Sequence, residues 1–329
     1  MSAEQTFRLP PEWHAQEWLW IGFPHDEAEW PGMLGKAQEQ IAGFANAVAE
    51  SGQQVRLVVR DEANEARARE LVSTSVRLER HAYGDIWLRD TGPLVVVDEA
   101  GRRIAKRFGF NGWGGKFEMA GDQSIGAELA RSAGLTVEIA DWILEGGAID
   151  GDGTGLAVTT EQCLLNPNRN PELSRAEIAA RFARDLGFNR LLWLGEGLKG
   201  DHTDGHVDNL ARFVAPGVLA LPVPEGASDP NAAIYADARD RARAFGLAIR
   251  DIPSAGGFAA QGGEPASYMN FVIANRVVVV PTFSLPQDAT AVAAVGACFP
   301  TREAIGLPAD AVLAGGGGFH CASQQMPAV

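Results

Sequence analysis

Five side chains spaced along the chain have the types needed to attack and cleave a bond at carbon. Cys321 follows the run Gly315 to Gly318, Phe319 and His320, and four consecutive glycines permit close backbone approach just before a thiol. A buried cysteine usually serves as a small apolar residue. Cys163 in QCLL and Cys298 in GACF read that way, which leaves Cys321 as the candidate nucleophile. His206 lies in HTDGHVDN, and a strand through this segment would put His206 and Asp208 on one face, as a base and its neighbour. Asp90 in WLRDTGP sits between an expected strand and a hairpin, where aspartate also serves as a turn former. Glu145 in LEGGAID is followed by two glycines that expose the chain around its carboxylate.

One thiol, one imidazole and three carboxylates, with no lysine or arginine among them, suit a cation. A guanidinium is planar and stays protonated at neutral pH. Its carbon becomes open to attack when carboxylates hold its nitrogens and a thiolate approaches above the plane. In that chemistry Asp90 and Asp208 form the clamp and Cys321 attacks. His206 first protonates the departing ammonia and then activates water, while Glu145 orients His206 and binds a guanidinium nitrogen. A ureido product results. The same residues leave rivals open: an amidinotransferase, a guanidine-binding protein without turnover, or a hydrolase with a metal on His202, Asp204 and His206. The reading taken is metal-free.

Positioning these residues requires a repeated α/β unit. Helical and two-residue periodicities recur in one order: a helix, a strand, a Gly- or Asp-containing loop, then a β-hairpin. After a helix–strand pair at 36–60, the first unit has helix 62–75, strand 76–82 and hairpin arms 94–97 and 103–108. The second has helix 123–133, strand 136–140 and a hairpin turned at GDGTG with return arm 156–160. The third has helix 174–186, opened by a capping box from Ser174 and Glu177, strand 190–194 and a hairpin turned at Pro216–Gly217. Helix 230–245, strand 248–252, a Gly-rich loop to Ser267 and a hairpin around Ala274–Asn275 form the fourth. Helix 287–297 and a short strand near Ala304 form the fifth, which lacks a hairpin; the apolar segment 17–23 could close the ring. Asp90, Glu145, His206, Asn270 and Cys321 then fall at successive strand-to-hairpin junctions.

Composition narrows the class. The chain has 329 residues, 46% hydrophobic and 21% charged, enough to bury a substantial core, and no linker-like stretch divides it, so one catalytic domain over 1–329 is expected. A net charge of −14 argues against nucleic-acid binding and fits a cationic ligand or simple solubility. No apolar run approaches the roughly 20 residues of a membrane span, so no membrane partner is expected. The N-terminal residues lack the pattern of an export signal, which makes the cytoplasm the expected location. Three scattered cysteines make no disulfide framework. Assembly as a homo-oligomer is left open.

The segments WLRDTGP, FNGWGG, EGGAID, TTEQCLLNPNRNP, TDGHVDN, YMNF and GGGGFHCASQQMP, in this order and over nearly the whole chain, closely resemble the agmatine deiminase family. That family includes the bacterial peptidylarginine deiminase type and lies within the guanidino-group-modifying superfamily. The resemblance implies an α/β fold, a five-bladed, pseudo-fivefold α/β propeller of repeated ββαβ units. It implies Cys321 as nucleophile, His206 as acid/base, Asp90 and Asp208 as guanidinium ligands, Glu145 as their partner, and Asn270 at the fourth unit's position. It further implies no cofactor and no metal, a small cationic guanidine as substrate, and, for agmatine, the products N-carbamoylputrescine and ammonia on the route to putrescine. Arginine or peptidylarginine is the rival substrate. Two positions depart from the family pattern: His202 stands where Asp or Glu is usual, and Gly318 where Asn is usual. Either could alter contact with the substrate's tail. Trp87 and Trp113 would wall an aliphatic tail or pack in the core.

Overall fold

The computed structural model describes residues 7–259 and 263–329. It is an α/β structure of five small sheets. The expected export-signal reading falls partly on residues 1–6, and the Gly-rich loop to Ser267 partly on 260–262, both outside the described residues.

The first sheet holds β1 (Gln16–Gly22), β2 (Gln54–Val59) and β3 (Val76–Arg80). Next come β4 (Leu94–Val97), β5 (Arg103–Gly109) and β6 (Thr136–Ile143), then β7 (Asp150–Gly151), β8 (Leu156–Thr160) and β9 (Arg190–Leu194). They are followed by β10 (Arg212–Ala215), β11 (Val218–Val223) and β12 (Ala248–Pro253), and by β13 (Val272–Ile273), β14 (Val277–Thr282) and β15 (Glu303–Pro308). In each three-stranded sheet the first two strands are antiparallel and the third runs parallel to the second. A parallel step needs a crossover, and one helix supplies each: Asp122–Ser132, Arg175–Leu186, Ala232–Phe245 and Asp288–Cys298. The first sheet uses two, Leu34–Glu50 and Glu62–Leu71.

The last strand, β16 (Ser323–Pro327), pairs antiparallel with β1, which runs parallel to β2. The two chain ends thus supply the hairpin-like pair that the fifth unit lacks. Glu17–Phe23 was expected in this place; its partner SQQMP shows no apolar alternation and went unassigned. Local signals set the helix ends. Ser174 accepts from the Glu177 backbone N–H while Glu177 returns the bond to the Ser174 N–H, and the helix stops at Gly187, whose φ of 73° suits a residue without Cβ.

What positions the site is the set of connections that enter each sheet's first strand. Residues between β3 and β4 carry Asp90, between β6 and β7 Glu145, between β9 and β10 His206 and Asp208, between β12 and β13 Asn270, and between β15 and β16 Cys321. Apolar packing anchors them from behind. Phe319, fully buried, stacks on Phe44 of helix Leu34–Glu50 with ring centroids 4.8 Å apart and fixes the segment that ends in Cys321.

Candidate active site

Cys321 is 8% exposed, and its Sγ accepts a hydrogen bond from Asn270 Nδ2 (3.0 Å) and lies 3.8 Å from Asp208 Oδ2. Asn270 is a bracket for this turn. Its Oδ1 accepts from the backbone N–H of both His320 (2.9 Å) and Cys321 (3.3 Å), and its amide also donates to Asn209 Oδ1. Gly318 packs behind the bracket and does not line the pocket: a Cβ there would fall 2.5 Å from Asn270 Oδ1, so in this chain the position must be glycine. Arg89 locks the strand beyond, accepting nothing and donating to Gln324 and Gln325, while its backbone N–H donates to the Cys321 carbonyl.

Asp90 sits in the helical turn Leu88–Thr91, and both its oxygens are aimed by donors: Oδ1 accepts from Gly147 N (2.9 Å) and Oδ2 from Trp113 Nε1 (2.9 Å). Trp113 reaches this position with φ 52° and ψ 50°, a left-handed conformation costly for a residue with a side chain and held between Gly112 and Gly114. Gly147 must also be bare, because a Cβ would fall 2.6 Å from His206 Nδ1 and 2.9 Å from Asp90 Oδ1. His206 Nδ1 lies 3.7 Å from Asp90 Oδ1. His206 and Asp208 were expected to share the face of a strand. Instead they flank and occupy the 3₁₀ turn Val207–Asn209, which brings both to the site by tight local turning.

Two buried networks of ionisable side chains have no signature in the sequence. Glu145, fully buried, accepts from Arg169 Nε (2.5 Å), so the site does contain an arginine, but one committed to a carboxylate. Asp208 Oδ2 meets His320 Nδ1 (2.8 Å), and His320 Nε2 meets Glu12 Oε2 (2.9 Å), which in turn pairs with the buried Arg212. Arg169 and His320 lie inside motif segments, NPNRNP and GFHC, that carried the resemblance. Glu12 and Arg212 gave no sequence signal, since only tertiary closure brings them together.

The electrostatics follow from burial and these partners. Burial raises the Cys321 thiol well above its usual range, and Asp208 and Asp90 push it further. Burial also raises Asp90, with His206 opposing. Burial works against ionised Asp208, but its hydrogen bond and charge pairing with His320 prevail and hold it below the ordinary carboxylate range. Burial likewise disfavours charged His206, yet Asp90 leads the groups that raise it well above an ordinary histidine. In the free site these influences favour the neutral thiol at Cys321 and the charged ring at His206. Two acceptors, Asp208 Oδ1 and Glu145 Oε2, are buried without a partner.

Trp87 and Trp113, both nearly buried, line the narrow pocket above Cys321 together with Asp90, Phe117 and His202. The His202 side chain is half exposed, and its Nδ1 lies 3.2 Å from Glu264 Oε2. As for metal ligands, Asp204 already accepts from Lys116, Asn168 and Arg169, which removes it from a set with His202 and His206. Glu145, Cys163 and His206 place donor atoms within 4.8 Å of one another, but the Arg169 cation against Glu145 opposes a divalent ion there. A larger cleft of about 660 Å³ between Glu161 and Arg241 holds none of the candidate residues, and those two side chains pair with each other.

Comparison with known proteins agrees with this geometry. Residues 8–327 match the family described as Porphyromonas-type peptidyl-arginine deiminase. An agmatine deiminase from Pseudomonas aeruginosa is 35% identical over 356 residues, covering 98% of this chain and 96% of its own. A solved agmatine deiminase from Enterococcus faecalis superposes with a TM-score of 0.92 at 28% identity, over 100% of this chain and 99% of that one. A cysteine-to-serine variant of the Campylobacter jejuni agmatine deiminase with substrate bound also gives 0.92 at 28% identity, over 99% of this chain and 98% of that one. Among the described residues no helix is long and apolar enough to cross a membrane.

Proposed function

This chain belongs to the Porphyromonas-type peptidyl-arginine deiminase family, and we propose that it hydrolyses agmatine to N-carbamoylputrescine and ammonia. It is a hydrolase of the guanidino carbon–nitrogen bond. The observation that carries the substrate class is the thiol of Cys321 beside Asp208, whose buried Oδ1 has no donor, with a second buried acceptor that lacks one in Glu145 Oε2. Unpaired buried acceptors are costly, and a guanidinium brings donors in one plane to relieve them.

In the mechanism this supports, the guanidinium settles between Asp90, Asp208 and Glu145. Its positive charge offsets the negative field that kept Cys321 protonated, so the thiol gives its proton up to solvent on binding. The thiolate forms a bond to the guanidinium carbon. His206, an imidazolium in the free site, gives its proton to one terminal nitrogen; the C–N bond breaks and ammonia leaves, with an amidino group held on sulfur. Neutral His206 then takes a proton from water as its oxygen attacks the same carbon. Collapse expels the thiolate and frees the ureido product. Each step uses this chain's own side chains.

The rest of the reading concerns architecture and setting. The five sheets, alike in their antiparallel-then-parallel order and joined at five connections that carry site residues, are read as blades of a five-bladed, pseudo-fivefold propeller, and residues 1–329 as one catalytic unit. A cytoplasmic enzyme feeding putrescine formation, with a small cationic guanidine as its substrate, completes it. At the mouth, Glu29 and Asp85 line the pocket, and burial raises both carboxyls; a bound ammonium would favour their ionised forms. This favours agmatine over arginine, whose carboxylate they would repel. Ammonia release from agmatine, arginine and an arginyl peptide tests it: agmatine is expected to give the highest kcat/KM, and preference for arginine or the peptide would reject the substrate assignment.

A further inference from the structure

Cys163 reads in the sequence as a core thiol, and it is fully buried, yet it faces the site. Its Sγ, a carboxylate oxygen of Glu145 and a ring nitrogen of His206 lie within 4.8 Å of one another. Both of these neighbours keep polar atoms without a partner, Glu145 Oε2 and His206 Nε2, although the residues are 0% and 1% exposed. Native interiors seldom leave such atoms idle without a functional reason.

The placement is built into the fold. Cys163 lies in the turn Glu161–Leu164 that follows β8, and its backbone N–H donates to Thr160 Oγ1 (3.3 Å). The Thr160 hydroxyl donates to the carbonyl of Gly205 (2.7 Å), the residue before His206. Gln162 Oε1 accepts from Gly197 N (2.8 Å) and occupies the space where a Cβ on Gly205 would fall, at 2.6 Å. The turn bearing the thiol and the loop bearing the imidazole are thus fastened to each other.

We propose that Cys163 is a positioning residue for His206, a neutral thiol that accepts from the ring nitrogen facing it and keeps the proton there, so that the other nitrogen is the one left bare to take a proton from water. The proposal rests on the reading of His206 as acid and then base. An imidazolium offers two N–H donors, whereas the imidazole left after ammonia departs has one donor and one bare acceptor nitrogen. Asp90, Glu145 and Asp208, the carboxylates whose charges act on the ring, serve only as acceptors when ionised and favour its charged form. Burial raises Glu264 well above the usual carboxylate range, with His206 opposing, and Arg169 partly neutralises Glu145. An ionised carboxylate on the retained N–H would draw the ring back to its charged form. A neutral thiol accepts from that N–H without doing so. Burial raises the Cys163 thiol, so it stays neutral and does not compete with Cys321 as a nucleophile.

Three substitutions in the full-length enzyme separate this role from packing. Valine is close to cysteine in volume but cannot hydrogen-bond, serine keeps donor and acceptor on a smaller side chain, and alanine is near serine in size with neither. With agmatine as substrate, Cys163→Val is expected to lower kcat by about tenfold, the effect of one lost hydrogen bond in a buried site, with KM little changed. The Cys321 adduct should accumulate in acid-quenched samples, because the water-activating half is the one slowed. Cys163→Ser should recover most of the rate and exceed Cys163→Ala, a comparison that survives if the valine variant does not fold. Valine at the wild-type rate, or serine no better than alanine, would overturn the proposal while leaving the acid/base reading intact. Turnover surviving His206→Ala would overturn both.

Discussion

Around Cys321 the thiol and all three carboxylates are fastened by buried partners from other loops, whereas the mouth of the same pocket is walled by two lightly held rings. Asp90 has Trp113 and Gly147, Asp208 has His320, Glu145 has Arg169, and Cys321 has Asn270. By contrast Phe117 is 41% exposed, and His202 leans on Glu264 from a half-exposed position. The reacting end draws on five connections at once, so losing one group leaves others misdirected or unpaired. The mouth can vary at little cost, and His202, a position that the resemblance marks as a departure from the family pattern, lies there. Chemistry is fixed by convergence of loops on the thiol, and tail preference by a few side chains at the mouth.

The largest effect expected is from Cys321→Ala, which should reduce ammonia release from agmatine by roughly 10⁴-fold or more while calorimetry still detects binding, since the carboxylates remain. Next, Asp208→Asn should lower kcat/KM by roughly 10²-fold, because it removes a guanidinium acceptor and half of the His320 pairing. A loss no greater than that of the mouth variants would break the comparison. The resting thiol gives a third expectation. Burial, then Asp208 and Asp90, raise Cys321, so alkylation by iodoacetamide without agmatine should be slow at pH 7 and climb only above the ordinary thiol range. Asp90→Asn removes one negative neighbour and should bring that climb to lower pH; rapid labelling of the wild type at pH 7 would contradict the neutral-thiol state. The smallest effect belongs to the mouth. His202→Asp should change the agmatine-to-arginine ratio of kcat/KM by about tenfold in favour of agmatine, with kcat nearly unchanged.

The same contrast governs what could be read from the chain. The recurring helix, strand and hairpin are legible because most crossover helices have an apolar stripe, Asp288–Cys298 being apolar nearly all round, and the hairpins have marked turns; the five junctions follow from counting units. Cys321 stood out by its glycines. Cys163 did not, since QCLL is apolar and nothing local shows that the turn Glu161–Leu164 aims the thiol inward. The His-x-Asp spacing suggested a strand, but Gly205 at φ 85° and the 3₁₀ turn after it present both side chains another way. The relay from Asp208 through His320 and Glu12 to Arg212 spans most of the chain and exists only after the ends meet in β1 and β16. Gly318 lies against Asn270, where a Cβ would fall 2.5 Å from Oδ1, a contact that only the folded chain reveals.

The central claim is that sulfur 321 carries the substrate through the reaction. Acid-quenched turnover of agmatine, digested and read by mass spectrometry, should show the Cys321 peptide carrying agmatine less one ammonia, and the mark should vanish when substrate is exhausted. A steady state with full ammonia release and no such adduct, or one confined to Cys163 or Cys298, would contradict it.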